Sequence, residues 1–172
     1  MSKSKVISTD DILATLCHSV TGVLSSASGN EISYSAMVQK ITRTCMRPDI
    51  GCFVLFDGGF TGLVVTNFTA QAAMEIYGDY MRNMGMPEEE IAHSHLSDDV
   101  SNVMGELMNQ IVGDFTSKVR EQLHTSITQN QPKMMAINKQ VQISVDTTMD
   151  RPQARRVTFT TRNQNIFYLE LA

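Results

Sequence analysis

Residues 97–122, SDDVSNVMGELMNQIVGDFTSKVREQ, read as one long amphipathic helix, and the remaining chain has to supply the surface that covers it. Ser97, Asp98 and Asp99 mark its start, with capping oxygens and negative charge where free N–H groups and the helix dipole favour both. Val100, Val103, Met104, Leu107, Ile111, Phe115 and Val119 fall on one broad apolar stripe. The other side carries Asn102, Glu106, Asn109, Gly113 and Arg120. Glu106 and Asn109 stand three residues apart, so their side chains project as neighbours, and Gly113 follows one turn later. Gly105 and Gly113 each cost about 0.5–1 kcal/mol relative to alanine inside a helix. Close approach by another backbone is one reason to keep them. Two readings follow: an ordinary solvated face, or an acid, an amide and a bare patch that dock into a polar cleft.

A second helix echoes the first. Thr9 or Asp10 can cap a helix over residues 11–25, where Ile12, Leu16, Val20, Val23 and Leu24 recur at helical spacing. The cluster Ser25, Ser26, Ala27, Ser28, Gly29, Asn30 ends it. Thr15 through Gly22 aligns without a gap on Glu106 through Gly113: leucine on leucine, valine on isoleucine, glycine on glycine. Thr15 and His18 stand where the acid and the amide stand in the later copy. The pattern is that of an internal repeat with one functional pair and a degenerate second site. His18 reads either as a polar group of that second site or as a structural histidine.

Between and after the helices the period changes to that of strands. Residues 32–45 alternate loosely and read as one strand, closed by the Arg47, Pro48, Asp49 turn. Residues 51–57 and 60–68 flank Asp57, Gly58, Gly59, a hairpin signal, and the first run is apolar enough to suit a strand covered on both faces. No Lys-Ser/Thr follows those glycines, so they are not read as a phosphate loop. Residues 69–81 form a capped helix, Pro87 starts a short helical turn over residues 88–92, and His93 and His95 lie in a linker without a third metal ligand. Residues 124–132 are polar and turn-rich. Residues 134–137, 141–145, 155–161 and 166–171 read as strands, with a turn or loop over residues 146–153. The order helix-then-strands thus occurs twice. The expected fold is α/β of the α+β kind: one mixed, antiparallel-rich sheet, two long helices against it, and internal pseudo-two-fold character. One domain spans residues 1–172, with half-repeats near residues 10–86 and 97–172, and residues 1–8 are expected to be disordered.

A chain of 172 residues can bury a real core, and 42% hydrophobic with 19% charged residues describes an ordinary globular protein. The net charge of −4 and the lack of a basic cluster argue against nucleic acid or a membrane surface as partner. No apolar run reaches the length of a membrane span and residues 1–11 lack a signal-peptide core, so a cytoplasmic location is expected. Cys17, Cys45 and Cys52 are odd in number, match no metal spacing and read as reduced thiols. The 12 methionines read as adaptable core filler.

The octet Glu106 to Gly113, ELMNQIVG, resembles the ExxNxxxG signature of the CheC/CheX/FliY family of chemotaxis phosphatases, and the wider run MGELMNQIVGDF resembles its CheX version. The order of hairpin, Thr-Ala-rich helix and Met-Gly turn between two long helices is similar as well. The resemblance implies a CheC-like fold and, with a single ExxN pair, a CheX-type homodimer. It implies a phosphorylated CheY-type response regulator as partner. Glu106 would pair with the regulator's active-site lysine and Asn109 would position the water that attacks the phospho-aspartate. Asn102 and Gly113 would belong to the partner-binding face. No cofactor of the chain's own is implied, since magnesium would reside in the regulator. Asp114 and Phe115 depart from the family, where small or uncharged residues are more usual. A CheC-like adaptor that binds a regulator or a switch protein without hydrolysis uses the same face. A third reading, shared fold alone, predicts Glu106 and Asn109 buried or paired within the chain.

Overall fold

The computed structural model describes residues 7–143 and 154–172; the loop expected over residues 146–153 and most of the N-terminal stretch 1–8 lie outside them. Helix α1 runs Thr9–Ser28, α2 Ala70–Asn83 and α3 Asp98–Gln122, with a 3-10 turn at Glu88–Glu90. The cap of α1 is Ser8 rather than Thr9 or Asp10, because Ser8 and Asp11 form a reciprocal capping box: the Asp11 N–H donates to Ser8 Oγ at 3.0 Å. Gly29 ends α1 in the left-handed conformation at φ +69°. Thr69 and Ser97 cap α2 and α3 as the sequence predicts.

Ten strands complete the described chain: β1 Ser33–Tyr34, β2 Gln39–Ile41, β3 Thr44–Met46, β4 Ile50–Gly58, β5 Gly62–Phe68, β6 Ile127–Gln129, β7 Met135–Ala136, β8 Val141–Ile143, β9 Ala154–Thr160 and β10 Ile166–Leu171. The main sheet is ordered β1-β9-β10-β5-β4-β6, with β2 also on β9 and β7 also on β4, every pairing antiparallel. A separate ribbon pairs β3 with β8. Exchanging β1–β5 with β6–β10 leaves this pairing pattern unchanged. The helix-then-strands order seen twice in the sequence is therefore a two-fold topology in space, with α2 as the added link.

The helices cover one face of the sheet. Apolar side chains of α1 and α3 enter one core with Cys52, Val54 and Phe56 of β4 and with Val157, Phe159, Phe167 and Leu169 of the second hairpin. Phe68, Phe167 and Phe159 stack across three adjacent strands, with centroids 4.7 and 4.9 Å apart. On the other face the β3–β8 ribbon covers Leu63 and Val65, which pack with Met46. Glu170 is fully buried there; it accepts from the Cys45 N–H at 3.2 Å and from Arg156 Nη2 at 3.0 Å, and so ties the ribbon to the sheet.

Two strand expectations are corrected. Residues 32–45 form three short strands, not one. Their alternating side chains are largely exposed, so no buried face holds a single register, and the chain turns away at β3 to pair with β8. In the hairpin only β5 is buried along its whole length; β4 leaves Phe53, Leu55 and Asp57 exposed on the face that the ribbon does not reach. The polar segment after α3 contains β6, and of residues 141–145 those described as strand are Val141–Ile143. No helix of the described residues is long and apolar enough to cross a membrane.

Candidate functional site

Helix α3 is pinned by its apolar stripe. Val100, Met104, Leu107, Ile111, Phe115 and Val119 are all buried, at 1% exposure or less. That packing leaves the opposite strip no choice but to face solvent. Asn102, Glu106 and Gly113 are exposed and Asn109 is half-buried. Neither Glu106 nor Asn109 makes a side-chain hydrogen bond or ion pair within the described chain. The lack of an internal partner for Glu106 and Asn109 among the described residues counts against the third reading. At a spacing of three residues the two side chains project roughly 5–6 Å apart at Cβ. One offers a carboxylate; the other offers both an amide donor and an acceptor.

The glycines supply a second clue. A methyl group added at Gly113 would meet nothing within 4 Å, and the same holds at Gly22, its counterpart on α1. A Cβ at Gly105 would make only ordinary contact with Met134, at 3.9 Å. Nothing inside the fold demands glycine at these positions.

The earlier copy of the motif is arranged differently. Thr15 is buried and its hydroxyl donates to the Asp11 carbonyl at 2.9 Å, whereas His18 is exposed with its ring 6.5 Å from that of Tyr34. The structure therefore brings His18, but not Thr15, to the surface.

Of the two departures from the motif that the sequence resembles, Phe115 turns inward and Asp114 stays partly exposed. Phe115 is fully buried, edge-on to Phe56 with centroids 5.2 Å apart. Asp114 lies at the α1–α3 seam, ion-paired with Lys118 one turn on. Partial burial pushes the Asp114 carboxyl up, but the hydrogen bond and charge of Lys118 help to outweigh it, and the group is held below its ordinary value. This acid–lysine clasp was not singled out from sequence, although its i, i+4 spacing is the signal for one. Asp114 and Lys118 also line a shallow cleft of about 340 Å³ with Gly22, Val23 and Tyr80.

The other chemistry-bearing residues do not assemble. No group of three or more metal-type ligands exists among the described residues, and His93 lies exposed in the linker. The glycines after Asp57 close a hairpin turn. All three cysteines are free and buried; burial pushes the Cys17 thiol up to about 12 and Cys52 to about 11, far from a reactive thiolate. A concavity of about 440 Å³ beside Phe53 and Leu55 holds Asp57 as its one titratable residue. The candidate site is a convex helix face, which suits a protein partner better than a small substrate.

A family profile described as Protein of unknown function (DUF3334) matches residues 3–172. No functionally curated protein matches the sequence. Among solved structures, the chain is similar to a chemotaxis protein CheX from Desulfovibrio desulfuricans, with 19% identity, a TM-score of 0.75, and coverage of 94% of this chain and 98% of that one. It is similar to a CheC-like superfamily protein from Shewanella sp. PV-4 (16% identity, TM-score 0.74, coverage 96% and 97%). It is also similar to the CheX–CheY–BeF3–Mg2+ complex from Borrelia burgdorferi (13% identity, TM-score 0.65, coverage 94% and 97%). At these identities the likeness establishes the fold, which is that of CheX and CheC-like proteins.

Proposed function

The chain belongs to the DUF3334 family of proteins of unknown function, and we propose that it accelerates dephosphorylation of a phospho-aspartyl, CheY-type response regulator. The observation that carries this reading is the pair of exposed Glu106 and half-buried Asn109, neither with a side-chain partner among the described residues, on a helix anchored by its buried face. A CheX of the same fold is known in complex with CheY, BeF3 and Mg2+, which supports a partner of that class.

The chemistry follows from what the partner lacks. A phospho-aspartate is an acyl phosphate, and its hydrolysis needs a water held in line with the leaving carboxylate. The Asn109 amide can accept from that water and donate to it, and so fix its angle of attack; positioning of this kind contributes several kcal/mol. Glu106 pairs with the regulator's active-site lysine, a charge-assisted hydrogen bond that sets the register of the two proteins. Asn102 and bare Gly113 extend the contact along the helix. Magnesium belongs to the regulator, and this chain contributes no cofactor. The cytoplasm, where such regulators act, and a CheX-type homodimer are part of the same reading; sedimentation of the purified chain tests the dimer.

The test is the decay of phosphorylated CheY-type regulators from the host genome, with and without this protein at catalytic amounts. Acceleration supports the phosphatase. Binding without acceleration points to an adaptor that uses the same face.

A further inference from the structure

Strand β3 is held to the main sheet by polar grips rather than by a broad apolar contact. The Cys45 N–H donates to the Glu170 carboxylate of β10 at 3.2 Å, and the Cys45 carbonyl accepts from the Asn67 amide of β5 at 2.9 Å. The oxygen of that same amide accepts from the Arg47 N–H at 2.7 Å. One residue of the ribbon is thus gripped at both backbone atoms by side chains from two adjacent strands, and both side chains are almost wholly buried. The apolar contact is small. Its buried part is Met46, Leu63 and Val65, whereas the helix side of the sheet holds a far larger core. β8 has no buried residue.

We infer that the β3–β8 ribbon is a strap that lifts as one unit while the rest of the fold stays closed. Hydrogen bonds broken on lifting are exchanged for bonds to water, so their net hold is weak, and the Glu170 carboxylate regains lost hydration. Few buried apolar contacts and an exposed outer strand mark a segment that opens below the global unfolding free energy. The two strands move together because they are bound to each other. They share three residue pairs, the Thr44 hydroxyl donates to the Ile143 carbonyl at 2.6 Å, and Arg43 donates to the Gln142 side chain at 3.2 Å. The strap is rooted where the Ile137 N–H donates to the Asp49 carbonyl at 2.8 Å and the Asp49 N–H donates to Phe68 of β5 at 2.9 Å. Lifting it uncovers Leu63 and Val65, which stand directly across from exposed Leu55 and Phe53 on β4. These apolar side chains on two adjacent strands then form one surface, of which the closed form shows only the β4 half. The strap therefore gates an apolar sheet face on the side of the fold away from α3.

The test is native-state hydrogen exchange read by NMR, in wild type and in two variants whose folding is checked by circular dichroism. Once lifted, two strands this short do not stay protected in water, so their amides exchange. Residues 44–46 and 141–143 are expected to share one degree of protection, although they lie far apart in the chain. They should exchange about 100-fold or more faster, relative to intrinsic rates, than the protected amides of α1, α3 and β10. Ile76→Val, a change in the core on the helix side, should speed the core amides about five-fold and leave the strap amides unchanged. Asn67→Ala should speed the strap amides about ten-fold. Strap amides that exchange with the core, or that follow Ile76→Val as the core does, would overturn the strap. Unequal protection of β3 and β8, or no response to Asn67→Ala, would overturn it as well.

Discussion

Gly22 on α1 and Gly113 on α3 occupy matching positions in the two halves of the fold, and at neither would a side-chain methyl meet anything within 4 Å. Glycine inside a helix costs about 1 kcal/mol relative to alanine. The fold therefore carries that cost twice without using it for packing.

That relationship gives the first prediction. Gly113→Ala should raise unfolding free energy by about 0.5–1 kcal/mol, read from denaturant titration, and should weaken regulator binding measured in parallel. Gly22→Ala should stabilise by a similar amount and leave binding unchanged. Equal effects of the two on binding would mean that α1 docks a partner as well.

The buried contact between Glu170 and Arg156 is predicted to be structural alone. Arg156→Ala leaves a fully buried carboxylate with only the Cys45 N–H, and should cost about 3 kcal/mol in urea unfolding. Regulator turnover by the folded fraction should not change, because the pair lies on the ribbon face of the sheet.

Asp114 makes a prediction in pH. Its carboxyl is held low in the folded chain by Lys118, against the opposing push of partial burial. A depressed carboxyl adds stability above its unfolded pKa of about 3.9, and that stability is lost as pH falls through the folded value. Asp114→Asn should thus cost a few tenths of a kcal/mol at pH 7, since the pair is partly exposed, and almost nothing near pH 2. Thermal unfolding of both proteins across pH 2–7 checks the convergence.

The cysteines should be silent. With Cys17 pushed up to about 12 and Cys52 to about 11, both are neutral thiols at pH 8 and shielded by the core. Alkylation followed by peptide mass mapping should find them unmodified in the native protein and modified after denaturation.

Much of this was legible in the sequence because helical periodicity survives tertiary packing. The stripe from Val100 to Val119 is buried as the spacing predicts except at half-buried Val103, and it leaves Glu106 and Gly113 exposed and Asn109 half-buried on the other side. Phe115 already lay on that stripe, so its inward turn follows from the same period. The repeat was legible for a related reason: two helices with matched leucine, aliphatic and glycine positions precede two sets of strands. The segment with β1, β2 and β3 was not legible, since Tyr34, Met37 and Val38 stay exposed and residues without a buried face carry no register signal. Nor did the apolar run of β4 disclose that Phe53 and Leu55 lie beyond the ribbon, because coverage by a distant segment leaves no local trace. Thr15 shows the limit of alignment within the chain. It matches Glu106 in position, yet its hydroxyl turns back to its own helix.

The central claim is that Asn109 positions water on a regulator's acyl phosphate, and one measurement addresses it most directly. Decay of the phosphorylated regulator is followed with saturating wild-type protein and with saturating Asn109→Ala, each shown by titration to bind. The account predicts that the variant binds as well as wild type and loses about a hundred-fold or more of the acceleration. Equal acceleration by both proteins would contradict it.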